Sequence, residues 1–463
     1  MMKPFLLFSS CFWSLSVMAF PIDAENPMLT APESVGMSAA KLAKIDDVIQ
    51  RQMDKGNLQG AVVAVSRRGK PIYFSAFGES DQEAGKPMRR DNMFVMQSST
   101  KPVTGVAAMI AMERGLFAAT DEVQKYLPGF AEIEVAVLKD PTDQDVSPKF
   151  VWAEPGKEVG FFTRLAGDLI AKWTGGYMLF VPEHRTVPAS RPITIHDLLT
   201  HTAGLGTYGL GQASSEWGAQ MFDKGSFADQ AYTLESYIAA VAQGPLDFQP
   251  GTRWAYSPTI GLDVVARIIE VTSGQAFNEF VQTNIFDPLD MHDTHWWNVL
   301  PEEKRARVVV RLSEGKDGTR SYESVAEPGD DRYFSGSVGL ISTARDFLHF
   351  EQMLVNQGVL LGNRILQEDS VRLMSTDHAG HLFGGESKGK AGGTGFGYTV
   401  EVTLDPAIAE LSRSEGAFGW AGAFGTYSWT EPATQIAVVV MVQQASKELG
   451  RELAKAVSEA VID

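Results

Sequence analysis

The chain has 463 residues, 44% of them hydrophobic and 21% charged, with a formal net charge of −17. That length and balance suit one large domain or two interleaved ones, and the acidic excess disfavours a nucleic-acid backbone as partner. Cys11 is the only cysteine, which excludes disulfide frameworks and zinc–cysteine sites.

Lys3 is followed by the apolar run "PFLLFSSCFWSLSVMA", which closes on Val17-Met18-Ala19. This is the charged, apolar and small-residue order of a secretory signal peptide, with cleavage expected after Ala19. The run is too short for a confident membrane span. A lipoprotein reading of "FSSC" fits poorly, because the apolar stretch continues past Cys11. The mature chain, 20–463, loses Lys3 and no acid and so carries −18. It has no thiol, so a nucleophile must be an oxygen; the other routes are a metal held by His and carboxylates, or no nucleophile at all. No later stretch is apolar enough to cross a bilayer, and a soluble exported protein, periplasmic or secreted, is expected.

Residues 38–55, "SAAKLAKIDDVIQRQMDK", have amphipathic helical spacing with Ser38 as N-cap and Gly56 as stop. "GAVVAVSRRGKPIYFSAFG" reads as a hairpin turning at Arg68-Gly69-Lys70. A helix opens near Ser98 and ends near Gly115. "PITIHDLLTHTAGL" and "GLDVVARIIEVTSGQAFNEFVQTNIFDPL" keep helical spacing. Beyond them "FGYTVEV", "GAFGWAG", "GTYSWTE" and "TQIAVVVMVQ" are β-rich, and "KELGRELAKAVSEAVI" closes the chain as a helix. Strands at both ends and helices between them predict an α+β fold. Its antiparallel sheet is built from about 36–125 and 330–463, flanked by helices, with a mostly helical region inserted over about 126–329.

S-x-x-K occurs four times, at Ser38/Lys41, Ser98/Lys101, Ser313/Lys316 and Ser387/Lys390. Ser38 is explained by helix capping, and the last two pairs lie in Gly- and charge-rich stretches expected to be exposed loops. Ser98 alone opens a mostly uncharged helix, with Pro102 marking its first turn. Three-residue spacing puts Ser98 and Lys101 on one face. A helix start and burial both disfavour an ammonium. Lowering a lysine from about 10.4 to about 7–8 takes roughly 3–4 kcal/mol, which such a site can supply. From these residues alone, the pair is either a nucleophile with its base or a helix start with a snorkelling lysine.

Two further stretches bear on the choice. "RWAYSPTIGLDVVARIIE" places Tyr256 directly before a helix, where it could relay a proton or simply pack. "FGWAGAFGTYSWTEP" carries Trp420-Ala421-Gly422 on a strand whose small residues let backbone approach a ligand.

Taken in order, "MQSSTKPVTGVAAM", "DEVQKYLPGF", "ITIHDLLTHTAGL", "RWAYSPTIGLDVVARIIEVTSG", "NIFDPLDMHDT", "FSGSVGLISTARDFLHFEQML" and "GWAGAFGTYSWTEP" resemble the serine β-lactamase superfamily, and within it the family VIII carboxylesterases. The resemblance runs from about Gly36 to Gln443. It implies the β-lactamase/penicillin-binding-protein-like fold, with Ser98 as the acylated nucleophile, Lys101 as its base and Tyr256 as the third member. It also implies an oxyanion hole from the amides of Ser98 and Ala423, and a substrate-binding strand at Trp420, Ala421 and Gly422.

At those three positions the lactam-binding relatives carry Lys-Thr-Gly, whose lysine and threonine help hold a carboxylate; Trp420 is uncharged, as in the esterase branch. Tyr256-Ser257-Pro258 departs from their Tyr-x-Asn, and no Ser-Asp-Asn segment matches. The expectation is a serine hydrolase acting on small-molecule carboxylic esters, without metal or cofactor. The alternatives are a peptidase or amidase, a weak β-lactamase, an acyltransferase, or a binding homologue that kept the fold. An insert over about 141–190, with a helix expected from Phe161 to Trp173, reads either as a lid on the acyl pocket or as a remote elaboration.

Other signals are discounted. Gly204 to Gly209 spells GxGxxG but follows a helix rather than a strand. His196/His201 and His292/His295 lack the i, i+4 spacing of a zinc pair and read as surface or capping histidines. No G-x-S-x-G elbow occurs.

Overall fold

The computed structural model describes residues 29–138, 184–207, 209–214, 233–314, 320–323, 332–383 and 392–463. The expected signal segment and the helix expected from Phe161 to Trp173 lie outside them. The elements that position the site are, in chain order, α1 (Ala39–Leu42), α2 (Lys44–Asp54), β1 (Gly60–Arg67), β2 (Lys70–Asp81), β3 (Lys86–Pro87), α3 (Lys101–Glu113), α4 (Ile195–Leu199), α5 (Gly261–Ser273), α6 (Ala344–Val355), β4 (Thr394–Phe396), β5 (Glu401–Thr403), β6 (Phe418–Ala421), β7 (Tyr427–Glu431), β8 (Ile436–Met441) and α7 (Lys447–Ala460).

The eight strands form one antiparallel sheet in the order β4-β5-β6-β7-β8-β1-β2-β3. Its seam is β8 on β1, where Val62 faces Met441 and Val65 faces Val438, so the two chain ends meet in the middle of the sheet. The β1–β2 hairpin turns at Arg68 and Gly69, both at positive φ (51° and 72°), which matches the right-handed twist of the flanking strands.

β1 and β8 are buried along their whole length, since both faces of the sheet are covered. Alternate residues serve different cores. Ala61, Val63, Val65, Val438 and Val440 meet Ile45 and Ile49 of α2 and Leu453 and Val457 of α7. Val62, Ala64, Val439 and Met441 pack on the other side with Val103 and Val106 of α3 and Phe347 and Phe350 of α6. From Lys101 to Ala111 α3 is buried on every side, as befits a helix with no charge between Lys101 and Glu113.

One expectation needs correction. The stretch 38–55 is two helices, interrupted at Ala43. The mostly helical middle region also carries two short strand pairs, Glu134–Leu138 with His184–Pro188 and Arg311–Glu314 with Arg320–Glu323. In the second pair Leu312 and Tyr322 lie opposite each other in register, an alternation too short to register as strand in sequence.

Candidate active site

The chain reaches Ser98 under tight control. Phe94–Val95 pairs with Leu340–Ser342, and the Met96 amide donates to the Leu340 carbonyl at 2.9 Å. Gln97 then takes a positive φ of 48°, an uncommon conformation for a side-chain-bearing residue. A single 3₁₀ turn, Gln97–Thr100, follows and runs into α3, whose first turn holds Pro102. The Lys101 side chain reaches back one turn, and Nζ lies 3.3 Å from Ser98 Oγ.

Lys101 is fully buried and Ser98 is 8% exposed. The amine also donates to the carbonyls of Pro258 at 2.6 Å and Ser337 at 3.0 Å. Burial pulls its pKa down to about 7, against the opposing charge of Asp263. A neutral amine held this way spends two N–H groups on the two carbonyls, which leaves its lone pair facing Ser98. That geometry can accept a proton from the hydroxyl at neutral pH.

Tyr256 stands on the other side. Lys101 Nζ is 5.0 Å from the centre of its ring, and the ring lies 5.5 Å from that of Trp420. Burial raises the phenol's pKa, while the nearby Ser98 hydroxyl and Trp420 indole oppose the rise. Yet among the described residues neither the buried Tyr256 hydroxyl nor the buried Trp420 Nε1 meets hydrogen-bond geometry to a partner. Two donors left unsatisfied beside a nucleophile are available to a substrate.

β6 brings the remaining groups. Thr426 Oγ1 donates to the Met96 carbonyl and shares a hydrogen bond with Ser99 Oγ, both at 3.0 Å, which seats the β6–β7 turn against the Ser98 turn. A Cβ at Gly422 would stand 2.2 Å from the Met96 oxygen, so only glycine allows the approach. Ala423 follows it, and among the described residues neither the Ser98 nor the Ala423 amide meets an acceptor. The structure thus brings Ser98, Lys101, Tyr256, Trp420 and Gly422 together, while Ala421 and Ala423 flank Gly422 in the chain and the exposed Ala421 lines a cavity with Arg413 and Tyr427.

Of the other S-x-x-K serines, Ser38 caps α1 through the Lys41 amide. Ser313 lies in a strand rather than a loop, and its hydroxyl accepts from Arg311; Lys316, Ser387 and Lys390 are outside the described residues. Among the described residues of the stretch 204–209, the Thr207 amide and hydroxyl are already taken by the carboxylate of Asp247 rather than left to a phosphate. Among the described residues no group of three or more His, Cys, Asp or Glu side chains converges as for a metal.

His201 is neither a surface nor a capping histidine: it is buried beside the site. Its carbonyl accepts from the Ala255 amide at 3.1 Å and its Nδ1 from the Ser257 amide at 3.3 Å, so it brackets Tyr256, whose ring it meets edge-on at 4.9 Å. Burial, reinforced by Lys101, holds its pKa well below the ordinary value, and it stays neutral. Sequence reasoning also missed Asp263 and the carbonyls of Pro258 and Ser337. A buried acid between Leu262 and Val264 was the only available signal, and at a helix start it reads as an ordinary N-terminal acid.

Known proteins share this arrangement of chain and sheet. The family model described as Beta-lactamase matches residues 45–462. The chain belongs to that family. It is a serine hydrolase of the β-lactamase superfamily, with the fold expected from its motifs. It is 31% identical over 406 residues to Protein Rv1367c of Mycobacterium tuberculosis, covering 85% of this chain and 88% of that one. It is 28% identical over 453 residues to Esterase EstB of Burkholderia gladioli, covering 93% and 97%. Among solved structures, that of EstCE1, a hydrolase with promiscuous acyltransferase activity, superposes with a TM-score of 0.67 at 23% identity over 92% of this chain and 99% of that one. At Trp420 β6 presents an uncharged indole packed between Tyr256 and Phe396, with ring centres 5.5 and 5.3 Å away.

Proposed function

We propose that the protein is an exported carboxylic-ester hydrolase that works through an acyl-enzyme on Ser98. The observation that carries this reading is the buried Lys101 amine, 3.3 Å from Ser98 Oγ and brought to about 7 by its surroundings. Ser98 Oγ attacks the ester carbonyl carbon while its proton passes to Lys101 Nζ. The oxyanion that forms takes the free amides of Ser98 and Ala423 as donors, each worth about 10²–10³ in rate. The tetrahedral species collapses, the C–O bond to the alcohol breaks, and Tyr256 hands the leaving oxygen a proton drawn from the lysine side. Water then adds to the acyl-enzyme by the reverse proton route and releases the acid.

Ester is favoured over lactam because Trp420 removes the cation that would hold a lactam's carboxylate, and similarity to Esterase EstB along nearly the whole chain supports the same class. The order of residues 3–19 supports export with cleavage after Ala19. The test is covalent labelling by a fluorophosphonate followed by peptide mass spectrometry. The adduct is expected on Ser98 in the wild type and absent in Lys101→Met, with hydrolysis of p-nitrophenyl esters well above that of nitrocefin. Labelling elsewhere, or faster lactam than ester turnover, would overturn the reading.

A further inference from the structure

One buried acid near the site has no part in the scheme above. Asp263 lies in the first turn of α5, is fully buried, and makes no ion pair with Lys101. Its carboxylate instead gathers one stretch of chain. Oδ1 accepts from the Ser337 amide at 2.9 Å and from Ser335 Oγ at 3.0 Å, and Oδ2 accepts from the Tyr333 hydroxyl. The same stretch is tied to α3 by Thr104 Oγ1, which donates to the Gly336 carbonyl at 2.6 Å. Gly336 fits only as glycine, since a Cβ would stand 2.8 Å from the Leu262 carbonyl oxygen of α5. The Ser337 carbonyl that emerges from this clamp holds Lys101. The second carbonyl holding Lys101, that of Pro258, lies just before α5, the helix that carries Asp263.

We propose that Asp263 is the positioning residue of Lys101. Its carboxylate fixes the Tyr333–Ser337 segment so that the Ser337 carbonyl holds one amine proton and turns the lone pair onto Ser98. The inference rests on the assignment of Lys101 as the base of Ser98. It adds a second role, because the carboxylate is also the anion that Lys101 feels. Asp263 therefore sets both where the amine points and the pH at which it becomes neutral.

The other groups facing the pair are accounted for. Lys101 meets Ser98, the Tyr256 ring and the neutral His201. Asp263 meets Tyr333, whose ring stands 5.1 Å from that of Tyr237 on the neighbouring helix Leu234–Val241. None of these carries charge near neutral pH. Burial pushes the Asp263 carboxyl up to about 6, with the three hydrogen bonds and Lys101 pulling the other way, so it is ionised where a neutral Lys101 is needed.

The experiment is the pH profile of kcat/KM for p-nitrophenyl butyrate in the wild type, Asp263→Asn and Tyr333→Phe, with melting curves alongside. Asp263→Asn removes the anion that favours the ammonium, so its acid limb should move to lower pH by about half a unit to one unit. Its plateau should also fall by about 10-fold, as the Ser337 carbonyl loosens. Tyr333→Phe strips one donor from the carboxylate, which then protonates more readily, so the limb should move the same way by less. Should Asp263→Asn fail to fold, Tyr333→Phe and Ser335→Ala decide by the same shift. Lower turnover with unmoved limbs in the folded variants would reduce Asp263 to a structural brace and overturn the inference. Absence of Ser98-dependent turnover in the wild type would instead strike the base assignment on which it rests.

Discussion

Gly422→Ala is the substitution whose consequence the structure fixes most tightly. A methyl at that position would stand 2.2 Å from the Met96 carbonyl oxygen and 2.3 Å from Thr426 Oγ1. The first contact is backbone on the turn that carries Ser98, so no side-chain rotation relieves it. The end of β6 must retreat by about 1 Å, and a misplacement of that size costs about 10²-fold in rate. Complete loss of the Ala423 donor would cost about 10²–10³-fold, or about 2.7–4 kcal/mol of transition-state stabilisation. The expected result is therefore a kcat for p-nitrophenyl butyrate lower by about 10²–10³-fold with little change in KM, since the oxyanion forms only in the transition state. Steady-state kinetics beside a melting curve separates this from unfolding. Gly450→Ala is the matched control, because its methyl would meet only the Tyr427 ring, at 3.6 and 3.8 Å, and activity should persist. A folded Gly422→Ala within about threefold of wild-type kcat would refute the oxyanion assignment.

The remaining predictions concern protons and caps. With Lys101 near 7, kcat/KM should fall as pH drops through about 7, because the protonated amine cannot take the Ser98 proton; a profile flat down to about pH 5 would contradict a lysine base. Glu351 is buried under β7, and its carboxyl is pushed up to about 7 by burial, against hydrogen bonds from Thr430 and Ser428. The folded state therefore holds that proton more tightly than the unfolded chain, and the stability this group contributes falls as pH rises from about 4.5 to about 7. Glu351→Gln should melt above wild type at pH 8, with the gap shrinking toward pH 5; a gap independent of pH would argue against a titrating Glu351. Ser38→Ala should lose about 0.5–1 kcal/mol of stability as a cap while keeping full ester turnover, measured by denaturation and assay together.

The fold was largely legible because its signals are local. Alternation and Gly-bounded turns mark β1, β2 and β6 to β8, and the uniformly apolar run after Lys101 marks α3. The break at Ala43 and the strand pairs of the middle region were not legible. A helical break without Gly or Pro leaves no mark, and a four-residue strand offers too few alternations to be told from a loop. At the site, Ser98, Lys101 and Tyr256 stood out as reactive side chains at recognisable spacings. The two carbonyls that hold Lys101 did not, because every residue has one. Asp263 and Ser337 are 74 positions apart, and their contact exists only once α5 is packed on α3. His201 acts through its ring and its backbone together, at a positive φ of 58° that no side-chain pattern announces.

The central claim is that Ser98 is the nucleophile of an ester hydrolase, and its most direct test is p-nitrophenyl butyrate turnover by the mature chain beside Ser98→Ala at equal concentration. The account predicts steady turnover by the wild type and only the uncatalysed background in the variant. Equal rates in the two proteins, or no turnover in the wild type, would contradict it.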